Sequence, residues 1–152
     1  MLSISYSIFS YMASNLNLRR IDHPMRVITT DSKRCSGCKA CQALCALTQF
    51  KENNLKKAAL KIIGHFPDPG VYEINICNQC GACAAVCPVS AIVATEVAYV
   101  IDADLCIGCK ICVSACPSNS FVEHASTKVP IKCVSCAVCV DYCPRRALII
   151  AN

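Results

Sequence analysis

Cys77-Asn-Gln-Cys80-Gly-Ala-Cys83-Ala-Ala-Val-Cys87-Pro88 spaces four cysteines by three, three and four residues and follows the last with proline. The same spacing recurs at Cys35, Cys38, Cys41 and Cys45, at Cys106, Cys109, Cys112 and Cys116, and at Cys133, Cys136, Cys139 and Cys143. The chain has sixteen cysteines in 152 residues, and the four quartets use all of them. Repetition of this kind has to be read before secondary structure, because it defines the unit from which the fold is built. Proline also follows the fourth cysteine at Pro117 and Pro144, where it removes a backbone donor and stops a helix. In the first quartet that place is taken by Ala46.

The spacing C-x2-C-x2-C-x3-C suits one chemistry. Three thiolates two residues apart wrap one corner of an iron–sulfur cubane, and the fourth points away to ligate a neighbouring cluster, so motifs work in pairs. Four quartets therefore predict four 4Fe-4S clusters. Zinc sites usually separate two C-x2-C pairs by a longer loop and have no use for a third cysteine at the same interval. A disulfide framework expects a secreted chain. Here the apolar opening around Ile8 and Phe9 has no basic residues before it, and Arg19-Arg20 follows it. A reducing, cytoplasmic setting is the expectation. Cysteine and alanine supply much of the apolar fraction, and no run is long enough to span a bilayer, so the chain reads as soluble with no membrane span.

From Pro88 to Leu105 the link between motifs two and three resembles the link inside bacterial two-cluster ferredoxins, and its β-branched residues Ile92, Val93, Val97, Val100 and Ile101 suit short strands around a tight connection. On that resemblance Cys77, Cys80 and Cys83 take Cys116, and Cys106, Cys109 and Cys112 take Cys87. Motifs one and four are left for each other: Cys35, Cys38 and Cys41 with Cys143, and Cys133, Cys136 and Cys139 with Cys45. A tandem scheme, one with two and three with four, is the competitor. Between Cys45 and Cys77, alternating runs from Ala59 to Phe66 and Val71 to Ile76 flank Pro67-Asp-Pro-Gly70 and predict a β-hairpin. The rival is a helix over Leu55 to Ile63, with Lys56, Lys57 and Lys61 on a polar face.

Nested pairing is also the arrangement in a known family. From Met25 to Ala151 the chain resembles the four-cluster iron–sulfur subunits of molybdenum and tungsten pterin oxidoreductases, whose first motif usually lacks its proline, as Ala46 does here. Its short form looks most like the small subunit of multi-subunit tungsten aldehyde oxidoreductases, and sister subunits in hydrogenase, formate dehydrogenase and benzoyl-CoA reductase complexes look similar. The resemblance implies an α+β fold of two nested ferredoxin-like two-cluster units, with short β-hairpins and short helices. The inner unit covers about 70–122 and the outer unit 25–69 plus 123–152, after an N-terminal extension over 1–24. It also implies an electron-transfer subunit without a substrate site, relaying electrons from a catalytic pterin oxidoreductase subunit to a flavoprotein or other acceptor in an anaerobic setting.

The residues agree that transfer, not catalysis, is the expectation. Cluster enzymes that bind substrate generally leave an iron without a protein thiolate, whereas four cysteines per cluster leave none open. No nucleophile and base pair, phosphate loop or flavin fingerprint is present. His23, His65 and His124 lie outside the motifs and are expected at the surface or in packing. Charge is uneven: residues 1–61 carry ten Lys or Arg against Asp22, Asp31 and Glu52, a net of +7, whereas 62–152 carry five basic and seven acidic side chains, a net of −2. Such poles suit docking to an acidic partner, and a head-to-tail contact would make a filament. A free polyferredoxin shuttle is the other alternative, although soluble carriers of that kind are commonly acidic. Nucleic acid is not expected, since no aromatic platform accompanies the charge.

Within the motifs, Lys39 and Lys110 stand between second and third cysteines, where a cation favours the reduced cluster, and Asp141 should act oppositely. Before Met25, residues Leu2, Ile4, Tyr6 and Ile8 alternate with other residues as in a strand that could join a partner's sheet. An overlong start, with Met12 or Met25 as the true first residue, is the alternative reading of that segment.

Overall fold

The computed structural model describes residues 25–151, so the expectations for 1–24 lie outside the described residues. Short elements follow one another in the order β1 (Ile28–Thr30), α1 (Ala40–Phe50), β2 (Leu60–Gly64), β3 (Tyr72–Ile76), α2 (Ala82–Ala85), β4 (Ile92–Ala94), β5 (Tyr99–Ile101), α3 (Ile111–Ser114), α4 (Val138–Asp141) and β6 (Leu148–Ile150). This is a small α+β ferredoxin-like fold. Its strands form three antiparallel pairs, β1 with β6, β2 with β3, and β4 with β5. The first pair closes the ends of the described chain on each other, Ile28 opposite Ile150 and Thr30 opposite Leu148.

The predicted hairpin is β2–β3, in register from Leu60 opposite Ile76 to Gly64 opposite Tyr72. Alternation explains it: Leu60, Ile62, Ile74 and Ile76 are buried on one face, while Ile63 and Glu73 look outward. The rival helix is confined to one 3-10 turn at Leu55–Lys57, capped by the Asn54 side chain accepting from the Lys56 N–H. Lys57, at the end of that turn, is buried but paired with Glu52 at 2.8 Å. The link from motif two to motif three forms the hairpin β4–β5, with Ile92 opposite Ile101.

Two hydrophobic clusters result, and cysteines belong to both. The larger gathers Ile28, Leu60, Ile62, Ile74, Ile76, Val122, Ile131 and Leu148 with Cys41, Cys45, Cys77, Cys133 and Cys139. The smaller gathers Ile92 and Phe121 with Cys83 and Cys112, and Cys87 and Cys116 pack against it. Helix α1 packs on α4, and α2 on α3. The 69/70 boundary expected from the sequence falls in the β2–β3 turn, and both strands pack into the larger cluster. Polar side chains tie this hairpin to the segment after motif three: Asn75 Nδ2 donates to Ser118 O at 2.8 Å and Lys61 Nζ to Phe121 O at 3.2 Å.

Candidate metal centres

Each quartet is shaped by two left-handed residues at fixed places. The second residue after the first cysteine has positive φ in all four motifs (Gly37, Gln79, Gly108 and Ser135), and so does the residue after the second cysteine (Lys39, Gly81, Lys110 and Ala137). A left-handed residue turns the chain sharply enough for an N–H to face the sulfur two residues behind it. Gly37 N donates to Cys35 Sγ at 3.5 Å, Gln79 N to Cys77 Sγ at 3.4 Å and Ser135 N to Cys133 Sγ at 3.4 Å. Side chains are tolerated at this φ in other motifs, and glycine is required at two of these places for space. A Cβ on Gly37 would run into the Tyr72 ring, and one on Gly81 would lie 2.6 Å from the Tyr99 hydroxyl.

The fourth cysteine is treated in two ways. In motifs two, three and four the proline ends the short helix, and the third residue past the cysteine (Ser90, Asn119 and Arg146) is again left-handed. The next residue then returns to the sulfur. Ala91 N donates to Cys87 Sγ and Ala147 N to Cys143 Sγ, each at 3.3 Å, while Ser118 and Ser120 hydroxyls lie 3.5 and 3.6 Å from Cys116 Sγ. In motif one the helix runs on to Phe50, and Cys45 Sγ accepts instead from Gln49 Nε2 and from Ala59 N, fourteen residues away, both at 3.3 Å.

Two of the predicted sets come together, each around its own concavity. One is lined by Cys35, Cys38, Cys41 and Cys143, and the other by Cys106, Cys109, Cys112 and Cys87. The charges acting on the buried thiols group Cys45 with Cys133, Cys136 and Cys139, and in motif two they relate Cys83 to Cys77. Burial raises the Cys45 thiol, and the cysteine that adds to this is Cys136. Burial pushes Cys133 up to about 11 against a hydrogen bond from Ser135, with further contributions from Cys45, Cys136 and Cys77. Cys139 is raised well above the ordinary thiol range, first by burial and then by Cys133, Cys136, Cys45 and Cys41. In motif two burial likewise raises Cys83, with Cys77 adding to it and Lys132 opposing.

Neighbouring sets also touch in sequence. Cys112 is raised by burial and then by Cys83 ahead of its own motif partners Cys106 and Cys109. Cys41, pushed to about 11 chiefly by burial, is next to Cys38, Cys143 and Cys35. Cys116 differs: burial pushes it up, but hydrogen bonds from Ser118 and Ser120 more than offset this and bring it down to about 7. Among the described residues no three His, Cys, Asp or Glu side chains converge as for a single metal ion. A cubane does not ask for that, because each thiolate takes a different iron. The donors fit the group on two counts: four sulfurs line each of the two concavities, and N–H or O–H donors are aimed at cysteine sulfurs in all four motifs.

The tuning candidates fare unequally. Lys110 Nζ lies 2.7 Å from Glu123 Oε1, so a carboxylate offsets its charge. Lys39 lines the concavity of Cys35, Cys38 and Cys41, and Asp141 is exposed on α4. His65 pairs with Glu73 at 3.2 Å, and His124 with Ser126. The motif pattern overlooks two residues. Gln79 and Lys132 are both buried, and they hydrogen-bond each other at 2.6 Å between motifs two and four. The available sequence signal was a lone lysine inside the apolar run that leads into Cys133.

Comparison with known proteins agrees with this chemistry. Three family models, each described as a 4Fe-4S dicluster domain, match residues 34–92, 76–120 and 105–148. The spans overlap, so motifs two and three are each matched twice. Among solved structures, the BamBC active site complex of benzoyl coenzyme A reductase with benzoyl-CoA is 18% identical, covering 84% of this chain and 79% of that one at a TM-score of 0.46. The same complex as isolated gives 18% identity, 84% and 76% coverage and a TM-score of 0.46. No curated protein matches the chain. Dicluster domains and sixteen cysteines fit four 4Fe-4S clusters, and the chain is an iron–sulfur protein of electron transfer. Among the described residues no helix is long and apolar enough to cross a membrane.

Proposed function

We propose that the chain is the iron–sulfur subunit of an oxidoreductase complex and conducts electrons along four clusters in a nested order. The ligand sets are Cys35, Cys38, Cys41 and Cys143; Cys133, Cys136, Cys139 and Cys45; Cys77, Cys80, Cys83 and Cys116; and Cys106, Cys109, Cys112 and Cys87. The observation that carries this reading is the concavity in which Cys143 meets the first three cysteines of motif one. The tandem scheme would send Cys143 to Cys106, Cys109 and Cys112, but the concavity around those three is closed by Cys87.

When bound, 4Fe-4S clusters take up and release single electrons. The polypeptide supplies the spacing. Cys41, Cys139, Cys133 and Cys77 share the larger buried cluster and Cys83 and Cys112 the smaller, which supports an order of the four sets in one line from motif one to motif three. Sulfur-directed donors and burial hold each set in place and tune it. Cys38 and Cys109, at opposite ends of that line, are exposed. Leu105, Ile107 and Ile111, also exposed, surround the Cys109 end. A catalytic pterin subunit and a flavoprotein or other acceptor would dock at the two ends, and the resemblance read from the motifs favours a tungsten or molybdenum aldehyde oxidoreductase as the source.

Cys143→Ala tests the order. In the anaerobically purified variant, the paramagnetic signal of the cluster on Cys35, Cys38 and Cys41 should change or vanish, and that on Cys106, Cys109 and Cys112 should persist. The opposite result would establish tandem pairing. Purification from the native source should bring down a larger catalytic subunit, and a lone chain at every ionic strength would instead support a free shuttle.

A further inference from the structure

Lys132 is only 5% exposed, and Nζ contacts three oxygens: Gln79 Oε1 at 2.6 Å, Tyr99 O at 2.9 Å and Cys133 O at 3.3 Å. Carbonyl oxygens only accept, so three of them match the three donors of an ammonium and leave no place for a lone pair. Among the described residues no carboxylate pairs with this cation. A buried charge without a counter-charge is expensive. Cysteine sulfurs flank it on both sides: Lys132 adjoins Cys133 in sequence, and its partner Gln79 stands between Cys77 and Cys80 and donates its N–H to Cys77 Sγ.

The surrounding network joins two motifs. Gln79 and Ser135 hold the same left-handed place in motifs two and four, and Gln79 Nε2 donates to Ser135 Oγ at 3.0 Å and to Cys133 O at 3.0 Å. Each also donates its own N–H to the first sulfur of its motif, Cys77 and Cys133. A continuous hydrogen-bonded path thus runs from Cys77 Sγ through Gln79 and Ser135 to Cys133 Sγ, with the ammonium seated beside it. This is the one junction between the inner and outer cluster pairs in the line proposed above.

We infer that Lys132 is the potential-setting residue of this junction: its fixed positive charge raises the reduction potentials of the two middle clusters, those on Cys77, Cys80 and Cys83 and on Cys133, Cys136 and Cys139, relative to the two end clusters. The inference rests on the four-cluster line of the previous section. A cation stabilises whichever state is more negative, and reduction adds an electron to a cluster already held by four thiolates. Burial matters, because little water lies between the charge and the sulfurs to screen it. Exposed Lys110, paired with Glu123, lacks both advantages.

Anaerobic potentiometric titration followed by electron paramagnetic resonance tests this. Iron and sulfide analysis of the wild-type protein checks the four-cluster line alone: about sixteen of each are expected, and fewer clusters would sink that line without touching Lys132. In Lys132→Met, two of the four midpoint potentials should fall by the equivalent of roughly tenfold in the reduction equilibrium, about 59 mV for a one-electron couple. The other two should stay, and Lys132→Arg should restore the shifted pair. Gln79→Glu, which sets a carboxylate against the ammonium without removing it, should lower the same two potentials and guards against a Met variant that fails to assemble. Unchanged potentials in a fully loaded Met or Glu variant, or an equal fall in all four, would overturn the inference.

Discussion

Motif one and the other three solve one problem by different routes. The sulfur of the fourth cysteine needs a hydrogen-bond donor, and after Cys87 and Cys143 the chain provides it locally: proline ends the helix, a left-handed residue reverses direction, and the next N–H points back. After Cys45 there is no proline. Ala46, fully buried, lets α1 continue to Phe50, and the donors come from Gln49 one turn on and from Ala59 at the entrance to β2. The local route leaves each motif self-contained. The long-range route binds motif one to the hairpin, where Gln42 also accepts from Ile62 N and donates to Leu55 O. What looks like a missing proline is therefore the link that attaches β2–β3 to the cluster-bearing core.

The largest effect should come from forcing the local solution on motif one. Ala46→Pro removes a backbone bond in the middle of α1 and drives the ring against the preceding turn, at about 3 kcal/mol or more. The site has no spare room, since Ala46 is 0% exposed. We expect little folded, iron-bearing protein on anaerobic expression. Pro88→Ala, by contrast, should keep all its iron and lose under about 1 kcal/mol, because it mainly restores freedom to the unfolded chain. Equal tolerance of both changes would break the distinction drawn between the motifs.

Second in size is Gly81→Ala. The same left-handed place holds Lys39, Lys110 and Ala137 in the other motifs, so φ alone does not demand glycine. Tyr99 does, because the added methyl would stand 2.6 Å from its hydroxyl. The two penalties together should reach roughly 2 kcal/mol, read as earlier bleaching of the cluster absorbance on heating. Gly81→Ala with Tyr99→Phe should recover part of the loss. Gln49→Leu ranks third: it removes one of the two donors to Cys45 while keeping the helix, and should cost about 1 kcal/mol and lower the potential of the cluster that Cys45 serves.

These contrasts also show which parts of the molecule were legible in the sequence. Spacing alone gave the quartets, because thiolate chemistry fixes it, and alternation gave β2–β3, because Leu60, Ile62, Ile74 and Ile76 occupy one buried face. The Ala46 exception was visible as a letter, but its consequence was not, since the long-range donor to Cys45 is the backbone N–H of Ala59 and any residue but proline carries one. Lys132 and Gln79 escaped notice for a related reason. Beyond the lone lysine before Cys133 nothing local marks them, and their burial arises only when motifs two and four meet. Lys110 looked equivalent to Lys39 in sequence, yet the fold brings Glu123 to one of them.

The smallest effect expected is at Lys39, where it separates backbone strain from charge. Lys39 is exposed, with φ 58° and ψ 12°, in the place that motif two fills with Gly81. A left-handed conformation costs a side chain-bearing residue roughly 1–2 kcal/mol, while glycine costs about 0.5–1 kcal/mol more backbone entropy on folding. Lys39→Gly should therefore stabilise the protein by only a few tenths of a kcal/mol, and Lys39→Gln should leave stability unchanged. Both remove the cation beside Cys35, Cys38 and Cys41, so both should lower the potential of that cluster by the same amount, and by less than Lys132→Met lowers its pair, because water screens an exposed charge. The two variants thus share one readout and differ in the other. If Lys39→Gly alone moved the potential, backbone geometry at the motif, not the ammonium, would be the tuning element. If Lys39→Gln moved it as far as Lys132→Met does, burial would lose its claim to set the junction apart from the end of the line.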